Sequence, residues 1–140
     1  SSTLGILSMV ALASTMDHAG MITLLPQEMA QAAGPLLPLI SPFIGALGAF
    51  VTGSNTNANV LFAGLQQEAA NALGYSVPLI LAAQNAGAAI GSTFAPAKII
   101  VGCSTVELEK GEGETIRRLL RYDLPVIAVL ALLTWALAGR

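Results

Sequence analysis

Two long stretches of this chain contain no charged residue, which is unusual for a protein that folds in water. No Asp, Glu, Lys or Arg occurs in residues 29–67, and none occurs in residues 69–97. A helix of about 20 mainly apolar residues can cross a bilayer, and both intervals exceed that length. Charged residues make up 10% of the chain and hydrophobic residues 54%, whereas an ordinary soluble domain carries about 25% charged residues. The sequence therefore predicts an all-α integral membrane protein.

A soluble helical bundle rich in glycine and alanine is the alternative fold. It is disfavoured because a chain of 140 residues has too little interior to hide so much apolar material. The net charge of -2 comes without a basic stripe, so the chain lacks the electrostatic footprint of a nucleic-acid partner. A single cysteine, Cys103, excludes an internal disulfide and is interpreted as a small buried thiol.

The middle of the chain predicts two short helices joined by a polar segment. Residues 35–51 are apolar, and Ser41 with Pro42 suits the start of a helix too short to cross a membrane unaided. Residues 52–59 follow, and seven of these eight are Gly, Ser, Thr or Asn. Residues 60–73 resume as a helix. Because irregular backbone at membrane depth must be satisfied by protein or a wet cavity, we predict a re-entrant helical hairpin.

A broken transmembrane helix is predicted next, after a turn at residues 74–76. Residues 77–90 are apolar apart from two amides, Gln84 and Asn85. The pattern is interrupted at 91–96 and resumes at 99–101. Small residues recur at intervals of four, at Ala83, Gly87 and Gly91. Such residues share one helix face and permit a close approach of another helix.

The charges missing from the apolar regions are concentrated in residues 104–123, which hold nine of the fourteen charged residues. Under the positive-inside rule, this stretch is predicted to be a solvated cytoplasmic loop, with a helix starting near Thr115. The final apolar segment, 124–139, is short for a full span. Since apolar sequence begins almost at Ser1, without an initiator Met, residues 1–140 are expected to be one membrane-embedded region of a longer protein.

The polar segment is the candidate binding site. A half-helix beginning near Asn59 presents unpaired N–H groups and a partial positive charge, where a carboxylate can dock. Ser54, Asn55 and Thr56 add neutral groups that replace lost hydration and still let an anion leave. A broken helix facing such a segment is the recurrent site of secondary transporters. The alternative interpretation is a surface loop, since Asn, Gly and Ser are loop formers.

Two charged positions have open interpretations. Lys98, the only cation between Glu28 and Lys110, either balances a bound anion or extends from a helix end to the lipid headgroups. Asp17 and His18 either relay a proton near neutral pH or mark the wet end of the first apolar segment. With one His, one Cys and no clustered metal ligands, the sequence offers no catalytic or metal site and no cofactor.

Residues 41–59 resemble the hallmark region of the lactate permease family. The run SPFIG at 41–45, followed by TGSNTNAN at 52–59, matches the family pattern SPF(V/I)G…TGSxTxxN. Further matches are Leu61-Phe62, Leu65-Gln66, Ala82-Ala83-x-Asn85, Pro96 and the run GEGE at 111–114 before Arg117. Members of the family are longer, so the chain is expected to correspond to a C-terminal portion.

The resemblance implies a proton-coupled symporter of L-lactate, and often of D-lactate or glycolate, that spans the bacterial or archaeal plasma membrane several times. It also implies kinship with transporters whose Ser-Asn-Thr tips hold carboxylates and sodium. By that analogy the substrate site comprises Ser54, Asn55, Thr56 and Asn59, with Asn85, Ser92 and Thr93 opposite. The expected partners are the substrate, the coupling ion, the lipid bilayer and the remaining helices of the permease.

Two positions depart from the family pattern. Some lactate permeases carry Asp where this chain has Asn55, and Gly-Lys where it has Gly91-Ser92, while a lysine comes later as Lys98. These changes are consistent with either a different coupling ion or a subfamily. The alternatives to proton-coupled transport are therefore a sodium-coupled carboxylate or anion transporter and, in a different class, a non-transporting membrane scaffold.

Overall fold

In the computed structural model, the described residues are 34–106 and 111–139, together with residues 11, 14, 15, 18 and 19. A 3-10 turn at Gly34–Leu36 leads into five helices: α1 (Leu37–Thr52), α2 (Asn55–Leu73), α3 (Val77–Gly91), α4 (Pro96–Thr105) and α5 (Glu112–Ala138). Every regular element in these described ranges is helical, which confirms the predicted all-α class.

Helices α1 and α2 form the predicted hairpin. At the end of α1, Gly53 adopts a left-handed φ of 71° and donates its N–H to the carbonyl of Ala49. Ser54 then begins α2, and its Oγ accepts the N–H of Asn57. This side-chain cap satisfies one of the free N–H groups of the first turn. The irregular part of the hairpin is therefore only Gly53 and Ser54, which we call the hairpin tip.

Two helices begin earlier than the sequence predicted. Helix α1 starts at Leu37 rather than Ser41, because Pro38 lies in the first turn, where its missing N–H removes no helical hydrogen bond. Helix α2 starts at Asn55 rather than near Asn59, because the Ser54 cap supports the first turn. Most of the predicted polar segment is therefore helical.

Helices α1 and α3 touch backbone to backbone. A Cβ placed on Gly87 would lie 2.0 Å from the carbonyl oxygen of Pro42, and one on Gly91 would lie 2.2 Å from that of Ala46. Both distances are far below a carbon–oxygen contact, so only glycine fits. The contact moves four residues forward on both helices, from Pro42 and Gly87 to Ala46 and Gly91, so α1 and α3 run parallel. The predicted close-packing face is confirmed, since Ala83 is buried with both glycines.

The predicted broken helix is made by α3 and α4. Between them, residues 92–95 form a break, and Pro96 begins the second half. The hairpin tip lies beside this second half, because a Cβ on Gly53 would be 3.6 Å from the Cβ of Ala97. Cys103 on α4 is buried, as predicted. The fold therefore brings the two interruptions of helical structure to the same end of the molecule.

Helix α5 differs from the sequence prediction. Of the predicted loop at 104–123, the structure describes 104–106 and 111–123. Residues 104 and 105 end α4, and the second part is helical from Glu112. Acidic residues in the first turn favour this early start through the helix dipole, and Glu114 pairs with Arg118 one turn later. The cytoplasmic location of this stretch stays a prediction.

Three segments of the described residues are long and apolar enough to cross a membrane. They are Gly34–Thr52, Val77–Thr105 and Glu112–Ala138. The prediction that the first helix is too short to cross a membrane is wrong, because the helical segment begins at Gly34 rather than at Ser41. The last segment is longer than predicted because α5 begins at Glu112, before the apolar stretch at 124–139. On α5, apolar side chains remain exposed along the outer face: Val126, Val129, Leu132, Leu133 and Leu137. These properties confirm the prediction of a membrane protein.

The α1–α3 contact predicts opposite effects for two glycine substitutions. Gly87→Ala is expected to destabilise the protein by about 1–3 kcal/mol, because the new methyl group overlaps the backbone of α1. At Gly64, an added Cβ meets nothing within 4 Å, so Gly64→Ala is expected to stabilise the protein by up to about 1 kcal/mol through helix propensity. Thermal unfolding in detergent measures both. Equal effects in the two variants would contradict the backbone contact.

Candidate functional site

Four amide side chains from α2 and α3 form one hydrogen-bonded group, which we call the amide cluster: Asn55, Asn59, Gln84 and Asn85. Asn59 lies at its centre. The Nδ2 of Asn59 donates to Asn55 Oδ1 at 3.1 Å and to Asn85 Oδ1 at 2.7 Å. The Oδ1 of Asn59 accepts from Gln84 Nε2 at 3.0 Å. The cluster therefore joins the hairpin to the broken helix.

Local sequence explains how each helix presents its two amides. Asn55 and Asn59 are four residues apart in the first turns of α2, so they share one face. Gln84 and Asn85 are consecutive on α3 and point in different directions: Gln84 is fully buried and Asn85 is exposed. The cluster consequently runs from the core of the chain to its surface.

Hydroxyl groups fix the hairpin tip, which directly precedes Asn55 of the amide cluster. The hydroxyl of Thr52 donates to the carbonyl of Gly48 at 2.8 Å and accepts the N–H of Ser54 at 3.3 Å. Ser54 in turn caps α2 through its Oγ. Thr56, in the first turn of α2, is exposed. The tip is thus fixed by its own side chains, while Thr56 faces outward beside the cluster.

The predicted residues of the break make other contacts. Ser92 is buried, and its Oγ donates to the carbonyl of Ala89 at 2.9 Å. The hydroxyl of Thr93 donates to Asp123 Oδ2 on α5 at 2.7 Å. Lys98 lies on α4 with its side chain exposed. The structure therefore unites the predicted amides, and it does not join Ser92 or Thr93 to them by hydrogen bonds.

Of Asp17 and His18, which are predicted to have a charge or proton role, the structure describes only His18. Asp17 lies outside the described residues. His18 is described and exposed, and its Nδ1 lies 2.8 Å from the carbonyl oxygen of Ser14, one turn earlier. A role in proton transfer for these two residues stays a prediction.

Sequence reasoning missed two residues that the fold brings to this region. Gln84 is an amide inside an apolar helix, which is itself a signal of function, whereas sequence reasoning points only to its neighbour Asn85. Asp123 fell in a predicted loop, whereas the structure places it on α5 against the break. Gln66 on α2 is also fully buried, and its Nε2 donates to the carbonyl of Ser41 at 3.3 Å.

The amide cluster can recognise a solute through uncharged hydrogen-bonding groups. Its members supply N–H donors and carbonyl acceptors and carry no charge. Among the residues that the structure describes, no three His, Cys, Asp or Glu side chains meet in a way that could hold a metal ion. The cluster can therefore bind a polar solute by hydrogen bonds at the start of α2.

The family profile described as L-lactate permease matches residues 1–139. The chain belongs to the lactate permease family. It is 34% identical to glycolate permease GlcA of Escherichia coli K12 over 125 residues, covering 89% of the chain and 22% of the relative. It is 33% identical to the L-lactate permease of Bacillus subtilis strain 168 over 132 residues, covering 94% and 23%.

A shorter match reaches higher identity: the L-lactate permease of Streptococcus iniae is 47% identical over 77 residues, covering 55% of the chain and 16% of the relative. The chain spans about a fifth of the length of the first two relatives. No solved structure matches it. The family comparison confirms the resemblance carried by residues 41–59.

The central position of Asn59 predicts a stability effect in this chain. Asn59→Ala leaves the fully buried amide of Gln84 without its partner, and we expect a loss of about 1–3 kcal/mol in the free energy of unfolding. Asn71→Ala is the matched control, because Asn71 lies exposed on the same helix, and its effect is expected within about 0.5 kcal/mol of zero. Unfolding in detergent compares them. A loss of similar size in both variants would contradict the central role of Asn59.

Proposed function

We propose that this chain forms part of a secondary transporter that crosses the plasma membrane several times. The transporter moves lactate or a related small 2-hydroxymonocarboxylate across that membrane. The amide cluster is the observation that carries this proposal, because it gathers four neutral hydrogen-bonding side chains where the hairpin meets a candidate membrane span, Val77–Thr105. The relatives named as lactate and glycolate permeases support the substrate class.

Neutral donors suit the reversible binding of a carboxylate. Hydrogen bonds from amide N–H groups to an anion are charge-assisted and about twice as strong as bonds between neutral groups. The start of α2 adds a partial positive charge at Asn55. The exposed hydroxyl of Thr56 is available for the 2-hydroxyl group of the substrate. Because no full positive charge lies in the amide cluster, the anion is held without being trapped.

The remainder of the site is proposed to come from outside this chain. Asn85 and Thr56 are exposed, so one side of the amide cluster is open, and the chain spans about a fifth of its relatives' length. Ser92, Thr93 and Lys98 are proposed to line the path from the break. The hairpin is proposed to re-enter the membrane, so that alternating access works around the tip and the break.

Proton coupling is the proposed driving force, and sodium coupling is the second candidate. The specific observation in favour of sodium is that the amide cluster contains no titratable side chain, since all four of its members are Asn or Gln. Carbonyl and hydroxyl oxygens are ligands that suit hard cations. A membrane scaffold without transport activity is the candidate from a different class.

The proposed site predicts that uptake depends on the first turn of α2. In the full-length permease containing this chain, Asn55→Ala and Thr56→Ala are each expected to lower uptake of labelled lactate about tenfold or more, because each removes a hydrogen bond to the substrate. Asn71→Ala is the control and is expected to transport normally at equal membrane levels. Unchanged uptake in both site variants would remove the proposed site.

The coupling ion is identified by imposing either a proton gradient or a sodium gradient on liposomes that contain the purified permease. Proton coupling predicts that an outside-acid pH jump accelerates lactate uptake, while a sodium gradient at equal pH does not. The reverse result would establish the sodium alternative. Absence of lactate binding and of uptake under both gradients would instead favour the scaffold.

A further inference from the structure

The hydrogen bonds of the amide cluster have a direction. Asn59 donates both hydrogens of its Nδ2, one to Asn55 Oδ1 and one to Asn85 Oδ1. The carbonyl oxygens of Asn55 and Asn85 are therefore turned toward Asn59. Their NH2 groups are turned away from it and have no hydrogen-bond partner within the described part of the chain. In this arrangement the cluster presents donors outward, which is the polarity that a carboxylate requires.

The opposite arrangement fits the same space. An amide group has nearly the same shape when its oxygen and nitrogen exchange places. In the reversed cluster, Asn59 Oδ1 would accept from the NH2 groups of Asn55 and Asn85, and its Nδ2 would donate to Gln84 Oε1. The cluster would then present two carbonyl oxygens outward and repel a carboxylate. Some further group must hold the cluster in the donor-out arrangement.

Gln84 is the group that distinguishes the two arrangements. It is fully buried, it donates to Asn59, and its Oε1 has no hydrogen-bond partner. In the reversed cluster the unpartnered group would be its NH2 group instead. Buried N–H groups without partners are rarer in proteins than incompletely paired carbonyls. The burial of Gln84 therefore favours the arrangement in which it donates to Asn59.

Helix α1 packs closely against the backbone at Gln84. A Cβ on Gly45 of α1 would lie 2.0 Å from the backbone oxygen of Gln84, so α1 lies directly against this turn of α3. Among the described residues, no charged side chain hydrogen-bonds to the amide cluster. Helix α1 has no titratable residue. Glu68, the only acidic residue on α2, is exposed and nine positions beyond Asn59, and Lys98 on α4 is exposed. On α5, Asp123 accepts from Thr93 on the far side of the break.

We infer that Gln84 is a positioning residue for anion recognition. Its buried NH2 group donates to Asn59, and Asn59 in turn directs the NH2 groups of Asn55 and Asn85 outward to the carboxylate of the substrate. Gln84 does not itself contact the substrate. This inference rests on the proposed function of the amide cluster, and it adds a reason why the cluster selects an anion rather than a cation.

The test uses the full-length permease and equilibrium binding of labelled lactate between about pH 5 and about pH 9, a range in which buried carboxyl groups titrate. In Gln84→Glu, the protonated carboxyl group still donates to Asn59, so binding is expected to be close to wild type at the acid end. The ionised carboxylate only accepts, which reverses the cluster. Binding relative to wild type is then expected to fall about tenfold or more toward the alkaline end.

Gln84→Met is the matched control, because it removes the hydrogen bond to Asn59 without supplying an acceptor. Its ratio of affinity to wild type is expected to be constant with pH. The inference is overturned if Gln84→Glu binds like wild type throughout, or if it follows Gln84→Met at every pH. Failure of the wild-type permease to bind lactate would contradict the proposed function, which is a separate result.

A second variant covers the case in which Gln84→Glu unfolds at alkaline pH, as its unfolding temperature would reveal. Asn59→Asp places an acceptor-only group at the centre of the cluster without a charge at Gln84. The NH2 groups of Asn55 and Asn85 then turn inward, and lactate binding is expected to fall about tenfold or more. Wild-type affinity in a folded Asn59→Asp permease would overturn the inference.

Discussion

The backbone contact between α1 and α3 is the constraint on which the rest of this structure depends. Lipid tails are as apolar as leucine, so helices in a membrane gain little from hydrophobic burial and associate through close packing and hydrogen bonds. Gly45, Gly87 and Gly91 remove the side chains that would separate the two backbones. That contact aligns the hairpin with the broken helix, brings the tip beside the start of α4, and presses α1 against Gln84.

The hairpin keeps its irregular backbone short. A left-handed glycine closes α1, and a serine cap opens α2 immediately afterwards, so only Gly53 and Ser54 leave the helical path. The Thr52 hydroxyl bonds to the backbone on both sides of the turn. The polar residues that follow are therefore free to face α3 and to form the amide cluster with it.

Recognition of an anion by this cluster is proposed to depend on the orientation of amide groups rather than on charge. A lysine or arginine in the same place would bind a carboxylate more strongly and release it more slowly, which suits storage better than transport. A set of amides that all present NH2 groups outward favours solutes that accept hydrogen bonds, while the total charge of the cluster stays zero. A neutral amide at Asn55 fits this mode of binding, because an ionised group beside the NH2 donors would compete with the substrate for them.

The sequence alone determined the class of the protein, because the absence of charge over two long intervals leaves lipid as the only suitable solvent. It also located the interruptions of helical structure, since runs of Gly, Ser, Thr and Asn cannot be mistaken for apolar helix. The spacing of Gly87 and Gly91 indicated a close-packed face. The motif in residues 41–59 indicated the family, because its order of small, polar and proline residues is specific enough to be recognised without the fold.

Only the tertiary structure decided which polar side chains meet. The early start of α2 depends on the cap from Ser54 and on the bond between Asn59 and Asn55, and composition alone favours a loop there. Gln84 and Asn85 are adjacent in sequence, yet one is buried and the other exposed, because the direction of a side chain relative to a neighbouring helix depends on how the two helices pack. The physical reason is the same in both cases: periodicity reports which positions avoid water, whereas hydrogen bonds between helices depend on their relative placement.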